Sequence, residues 1–104
     1  MTGWFYLLLA SAFEIGWAVG LKHEAWMARL GFTALVVASM VASMMFLGLA
    51  MRSIPLGTAY AVWTGIGTVG AVAFGIFLYG EPATALRLAC IALIVAGIVG
   101  LKLA

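Results

Sequence analysis

Apolar residues fill four long stretches of this chain, and short polar segments separate them. The stretches are residues 4–21, 30–51, 56–79 and 86–102. Each approaches the ~20 residues that a helix needs to cross the ~30 Å hydrocarbon core of a bilayer. Because a backbone in lipid must satisfy its polar groups internally, we predict helices rather than strands. The pattern therefore predicts an all-α integral membrane protein whose residues 1–104 form a single four-helix transmembrane domain.

The composition agrees with a membrane protein and excludes a soluble domain. Hydrophobic residues make up 67% of the chain and charged residues only 8%, whereas soluble domains carry roughly 25% charged residues. The net charge of +2 is too small and too scattered for nucleic acid binding. Cys90, the single cysteine, offers neither an internal disulfide nor a metal motif, so we expect no metal and no cofactor. We place the protein in the inner (plasma) membrane of the cell.

The first stretch contains Ala10-Ser11-Ala12, which fits the small-x-small pattern of a signal-peptide cleavage site. A signal peptide begins with a basic region, but no Lys or Arg precedes Lys22. We therefore expect the first helix to be retained.

Glu14 is the only residue with a formal charge between Trp4 and Leu21. A charge at mid-membrane depth costs at least ~2.5 kcal/mol, so such residues usually face a partner, a cavity or a ligand. Ser11 and Trp17 lie one turn to either side of Glu14 on the same helix face. The indole N–H of Trp17 needs a partner when it is buried, which favours a site residue over a packing residue. The pattern predicts a cation-binding site at Glu14.

The third helix supplies further candidates on one face. Tyr60, Trp63 or Thr64, and Gly67 follow one another at helical spacing. The two aromatic rings offer hydrogen bonds and cation–π faces to a buried cation. Gly67 permits close backbone approach, but the packing of small residues between membrane helices explains a glycine there equally well.

The second and fourth helices are less informative. Ser43 and Met40 share a face of the second helix, and each is as compatible with ordinary helix packing as with a site. The fourth helix has no charged residue between Arg87 and Lys102 and is rich in Ala and Gly, which favours a role in dimerisation. Glu81 and Arg87 are expected to anchor the chain at the membrane interface.

The flanking charges do not select an orientation in the membrane. If the N-terminus is cytoplasmic, Arg52 and Lys102 lie inside, and Lys22, Arg29 and Arg87 lie outside. This is almost no bias for the positive-inside rule, so we predict dual topology, with orientation set by other features as the alternative. Four helices enclose a substrate path poorly. Two copies inserted in opposite senses are therefore predicted to form an antiparallel homodimer, the arrangement of an inverted repeat.

Several segments together resemble the small multidrug resistance family of four-helix exporters. They are Phe13–Ala18, Lys22, Pro55–Gly67, Gly80–Pro82 and Gly97-Ile98. The resemblance covers essentially the whole chain. Trp17 and Gly57-Thr58-Ala59 are similar to the guanidinium-exporter subtype, often called Gdx or SugE-like.

This resemblance implies a proton-coupled antiporter that exports guanidinium or small substituted guanidinium ions and works as an antiparallel homodimer. It implies that Glu14 is the carboxylate shared by proton and substrate. By the same resemblance, the site is lined by Trp17, Ser43, Tyr60 and Trp63. Ser11 replaces a glycine usual in this subtype and is expected to alter the hydrogen bonding or the width of the site.

The chemistry of such a site is simple competition. A proton and a cation compete for Glu14, and competition combined with alternating access gives antiport. Guanidinium is planar, and its N–H donors match a carboxylate in parallel pairs. Ser43 and Trp17 are then candidates for orienting the carboxylates rather than touching the substrate.

Two other functions remain open at this point. An exporter of quaternary ammonium or other multidrug cations would use the aromatic faces instead of N–H donors. A membrane subunit without transport of its own is the other alternative. An enzyme is not expected, because Glu14 has no second catalytic carboxylate, nucleophile–base pair or metal cluster in the sequence.

Overall fold

The computed structural model describes residues 2–104, and within them it contains four α-helices. They are α1 (Thr2–Lys22), α2 (Leu30–Ala50), α3 (Leu56–Tyr79) and α4 (Ala85–Leu103). All four are long and apolar enough to cross a membrane. The prediction of an all-α protein with four membrane-length helices is confirmed.

Local chemistry fixes where α3 ends and α4 begins. Gly80 adopts a left-handed conformation (φ 64°), which glycine reaches without steric cost. The backbone N–H of Glu81 then turns back and donates to the carbonyl of Gly75 at 3.1 Å. Four residues after Gly80, the Thr84 side chain accepts a hydrogen bond from the backbone N–H of Arg87 and caps α4. The short turn between Gly80 and Thr84 therefore reverses the chain at one membrane surface.

Helix α1 is the centre of the packing. It packs against both α2 and α3, which touch each other only slightly. Helix α4 packs mainly against α3, and its Lys102 ammonium group lies 5.0 Å from the centre of the Trp4 ring. The molecule measures 42 × 35 × 16 Å, so it is a slab less than two helix diameters thick.

The buried side chains of this slab come from α1, α2, α3 and the two segments that connect them, which contribute Ala25 and Ile54. A cluster of apolar residues forms the core: Leu7, Ala10, Leu47, Ala50, Ile54, Ala59, Val62 and Trp63. Helix α4, which is described over its full length, buries none of its residues. Leu93 at its middle is 72% exposed. In a bilayer, lipid or another protein must therefore cover α4.

Candidate functional site

Glu14 lies in the middle of α1 and is buried, with only 8% of its surface exposed. Its carboxylate lies against the backbone of α3 at Gly67, where a β-carbon would overlap both Oε1 and Cδ. Within residues 2–104, Oε1 of Glu14 has no hydrogen-bond partner. A buried polar atom left unpaired costs ~1–3 kcal/mol, and more when it is charged. This oxygen is therefore available to a proton or to a cation with N–H donors.

Trp17 lies one turn further along α1 and also has an unpaired polar atom, which is a hydrogen-bond donor and not an acceptor. Its indole Nε1 is buried and finds no acceptor in the described chain. Glu14 and Trp17 line one cavity of about 180 Å³ between α1 and α3. An ionised carboxylate only accepts hydrogen bonds and an indole only donates them. The cavity thus contains an unused acceptor and an unused donor.

Threonine hydroxyls complete the polar lining on the α3 side. Thr64 donates its hydroxyl to the carbonyl of Tyr60 at 2.8 Å, and Thr68 donates to the carbonyl of Thr64 at 2.7 Å. Because each hydroxyl donates its proton to a carbonyl of its own helix, the lone pairs of its oxygen remain free to accept a hydrogen bond from a ligand. The cavity lining is therefore rich in acceptors and suits a ligand that carries several N–H donors.

A buried hydrogen-bond network holds the turn of α1 that carries Glu14. The indole N–H of Trp63 donates to Ser43 Oγ at 2.9 Å, and Ser43 donates to the carbonyl of Ala10 at 2.7 Å. In an α-helix, the carbonyl of Ala10 is also the acceptor for the backbone N–H of Glu14. The network therefore joins α1, α2 and α3 one turn before the carboxylate. In the described chain, Ser43 bonds to the backbone beneath Glu14 and not to its side chain.

The structure brings four of the candidate residues together around the cavity, namely Glu14, Trp17, Thr64 and Gly67. Three lining residues were missed by sequence reasoning, namely Ala18, Thr68 and Ala71. Thr68 and Ala71 follow Thr64 and Gly67 by four residues, so helical spacing alone was a sufficient signal for them. Ala18 follows Glu14 by the same spacing.

The remaining candidates lie outside the cavity lining. Tyr60 is 53% exposed, and its ring centre lies 5.5 Å from that of Trp63. Met40 is half-buried on α2. Ser11 is fully buried, and its hydroxyl donates to the carbonyl of Leu7 on its own helix at 2.8 Å. In the single chain, these three residues and the Ser43–Trp63 pair do not line the cavity.

Within residues 2–104, no three His, Cys, Asp or Glu side chains come close enough to hold a metal ion. The polar side chains that line the cavity provide one carboxylate, one indole N–H and two threonine hydroxyls.

The sequence is similar to one described protein family and to several named bacterial proteins. The profile of the family described as "Small Multidrug Resistance protein" matches residues 2–94. A protein of Escherichia coli (strain K12) named "Guanidinium exporter" is 54% identical over 100 residues, covering 96% of this chain and 95% of that protein. Proteins of the same name from Citrobacter freundii and Salmonella typhimurium are 52% identical over the same coverage.

Proposed function

This chain belongs to the small multidrug resistance family of membrane transporters, and we propose that it exports guanidinium in exchange for protons through a site built on Glu14. The family consists of transporters, so the chain is not an enzyme. The observation that supports the substrate most directly is the buried, unpaired Oε1 of Glu14 in a cavity lined by acceptors. The relatives named guanidinium exporters, at about half identity over nearly the full length, support it independently.

Guanidinium fits this cavity by its hydrogen-bond donors. The ion presents parallel N–H pairs that match both oxygens of a carboxylate, and further N–H groups remain for the hydroxyl oxygens of Thr64 and Thr68. Quaternary ammonium ions have no N–H donors and would leave Glu14 and both hydroxyl oxygens without hydrogen bonds. Small substituted guanidinium ions keep most of the donors and fall within the proposed substrate class.

Trp17 has a different task in this proposal. Its indole N–H cannot bind a guanidinium ion, because both groups are donors. Among the acceptors that line the site, the carboxylate is the charged one and binds a donor most strongly. We therefore assign Trp17 the role of orienting the Glu14 carboxylate after a small rotation of either side chain. The network of Trp63, Ser43 and Ala10 holds the backbone under Glu14 and has a positioning role as well.

Proton coupling follows from the use of one carboxylate for two cations. A protonated Glu14 has lost the charge that attracts guanidinium, and a bound guanidinium stabilises the ionised form, so each ligand expels the other. The apparent affinity for guanidinium is therefore expected to fall as the pH falls. The proton gradient that drives such an exchange exists across the inner membrane, where we place the protein.

A second copy inserted in the opposite sense completes the proposed transporter. The near-balanced flanking charges favour neither orientation, which permits both. Helix α4 is left uncovered, and an apolar groove of about 310 Å³ between α3 and α4 is lined by residues that include Val72, Phe77 and Leu88. We propose that the partner covers this region and brings a second Glu14 to a shared, membrane-midplane site, as in transporters built from inverted repeats.

A guanidinium-driven proton flux tests the proposal. The purified protein is reconstituted in proteoliposomes, a guanidinium gradient is imposed, and the internal pH is followed. We expect Glu14→Gln to abolish the flux, because glutamine neither binds a proton nor carries the charge. Glu24→Gln is the matched control, since Glu24 is an exposed carboxylate in the loop after α1, and it is expected to keep the flux.

Two results would contradict the proposal. A wild-type protein without guanidinium-driven flux excludes the function, and a coupled flux in Glu14→Gln excludes the assigned carboxylate. Adding tetra-alkylammonium ions to the same assay separates the substrate classes. We expect them to compete weakly with guanidinium.

A further inference from the structure

A second carboxylate lies against α3 in the same way as Glu14 does. Glu81 follows the end of α3, and its carboxylate lies over Gly75, where a β-carbon would overlap Oε1. Glu14 lies over Gly67, eight residues earlier on the same helix. At ~1.5 Å per residue, the two glycines are separated by about 12 Å along the helix axis. One carboxylate is at the middle of the slab and the other is at its surface end.

The cavities around the two carboxylates adjoin each other. Glu81 lines a cavity of about 160 Å³ whose other walls include Val19, Lys22 and Tyr79. Ala18 of α1 and Ala71 of α3 line both this cavity and the one around Glu14. Both cavities therefore lie next to each other between α1 and α3, and two small side chains line them at their junction. We call the pair of cavities the α1–α3 groove.

A cation already occupies the Glu81 carboxylate. The Lys22 ammonium group lies 3.1 Å from Glu81 Oε2, and the two side chains are 60% and 31% exposed. An ion pair this exposed contributes at most ~1 kcal/mol. Lysine also binds a carboxylate as a point charge, whereas guanidinium makes two parallel hydrogen bonds to it. Guanidinium is therefore able to replace the lysine at this position.

The ends of the two helices add to the attraction for cations. Both α1 and α3 end at this surface, and the C-terminal end of a helix carries about half a negative charge. The Tyr79 hydroxyl donates to the carbonyl of Val19 at 3.2 Å and bridges α3 to α1 at the same level. The mouth of the groove thus combines a partly buried carboxylate, two negative helix ends and an exposed lysine.

We propose that Glu81 is an outer binding site for guanidinium, which displaces Lys22 from the carboxylate and then passes along the α1–α3 groove to Glu14. This inference rests on the proposed function, because it takes guanidinium as the substrate. Lys22 is the competitor at this site. It returns to Glu81 when the cation moves inward, so the carboxylate is not left unpaired in either state.

The competing explanation is that the Lys22–Glu81 pair only fastens α1 to α3. The two explanations predict different effects of removing Glu81 and of removing Lys22 on the entry of the substrate. If the ion pair only holds the two helices together, removing either partner breaks the same contact and changes transport in the same direction. If Glu81 is a binding site and Lys22 its competitor, removing Glu81 weakens entry of the substrate and removing Lys22 strengthens it.

The test measures initial guanidinium uptake against guanidinium concentration in proteoliposomes at low ionic strength. The proteins are the wild type, Glu81→Gln, Lys22→Gln, the double variant and the control Glu24→Gln. We expect Glu81→Gln to lower kcat/KM about fivefold and to leave the maximal rate within about twofold, because an exposed pair is worth ~1 kcal/mol. Lys22→Gln is expected to raise kcat/KM, and the double variant to behave like Glu81→Gln.

The outcomes separate the explanations. Equal effects of Glu81→Gln and Lys22→Gln in the same direction, or no difference between Glu81→Gln and Glu24→Gln, would show that Glu81 is not an outer site. Glu81→Asp keeps the charge and is expected to retain most of the wild-type kcat/KM. If Glu81→Gln fails to fold, a kcat/KM in Glu81→Asp well below that of the wild type and of Glu24→Gln, without a loss of folded protein, would argue against charge recognition at this position. A wild type that transports no guanidinium overturns the proposed function itself, which is a different result from a transporting wild type with unaffected variants.

Discussion

The carboxylate of Glu14 on α1 occupies the space in which a β-carbon of residue 67 on α3 would lie. Any side chain at position 67 would therefore meet the charged group directly. Because the carboxylate is in contact with the α3 backbone, its position depends on the distance between α1 and α3. The cavity that Glu14 shares with Trp17 borders the same carboxylate.

Gly67→Ala places a methyl group where the Glu14 carboxylate lies. We expect guanidinium transport to fall by about tenfold or more, since overpacking a tight contact costs ~1–3 kcal/mol unless the carboxylate shifts. Gly48→Ala is the matched control, because no atom lies within 4 Å of a β-carbon at that position on α2. Uptake assays in proteoliposomes measure both. Equal transport by the two variants would show that the carboxylate does not need the contact with Gly67.

Trp17→Phe removes an indole N–H that has no acceptor in the described chain. We expect the stability of the protein in detergent to stay the same or to rise, because a buried unpaired donor is removed. Guanidinium binding is expected to weaken by roughly 10- to 100-fold, since a hydrogen bond to a charged group contributes ~1.5–3 kcal/mol. Binding is measured by calorimetry, with Trp26→Phe in the α1–α2 loop as the control. Unchanged affinity would exclude an orienting role for Trp17.

Ser43→Ala breaks the network between α2 and its neighbours. The variant leaves the Trp63 indole N–H without its acceptor, so we expect a loss of about 1–3 kcal/mol in the free energy of unfolding. Ser53→Ala is the control, because Ser53 is exposed in the turn before α3. Denaturant unfolding in detergent measures the effect. Combining Ser43→Ala with Trp63→Phe is expected to cost less than the two single losses together, because both residues belong to one network; additive losses would argue against the coupling.

Insertion in both orientations predicts equal labelling of opposite loops. In a Cys90→Ala background, Glu24→Cys and Ser53→Cys place a thiol at opposite ends of the helices. An impermeant maleimide applied to intact cells is expected to label about half of each variant, since the flanking charges favour neither orientation. Full labelling of one variant and none of the other would demonstrate a single orientation and exclude the antiparallel dimer.

The helices were predictable because charged residues, glycine and proline interrupt the apolar pattern sharply. Helix α3 occupies Leu56–Tyr79, the stretch between Pro55 and Gly80 that the pattern delimits. At the start of α1, the helix includes Thr2 and Gly3, which the apolar pattern left out. A small residue near a helix end can lie inside the helix or outside it, so hydropathy alone does not locate such a boundary.

The site was predictable only in part. Glu14 and Trp17 are conspicuous in the sequence, because a lone charge and a nearby indole in an apolar stretch both require partners. Thr68 and Ala71 are ordinary residues for a membrane helix, and only their spacing of four residues after Thr64 and Gly67 points to them in the sequence. The pairing of Lys22 with Glu81 joins residues 59 positions apart and depends on that same packing. Sequence reasoning had interpreted Glu81 as an anchor at the membrane interface.

The absence of buried side chains from α4 has a consequence for the dimer that we propose. The apolar core comes from α1, α2, α3 and the turn before α3. In a dimer held together through α4, a copy that lost its neighbour would therefore keep its internal packing. Under this proposal, separation of the two copies would leave folded protomers, which could pair again with another copy without first unfolding.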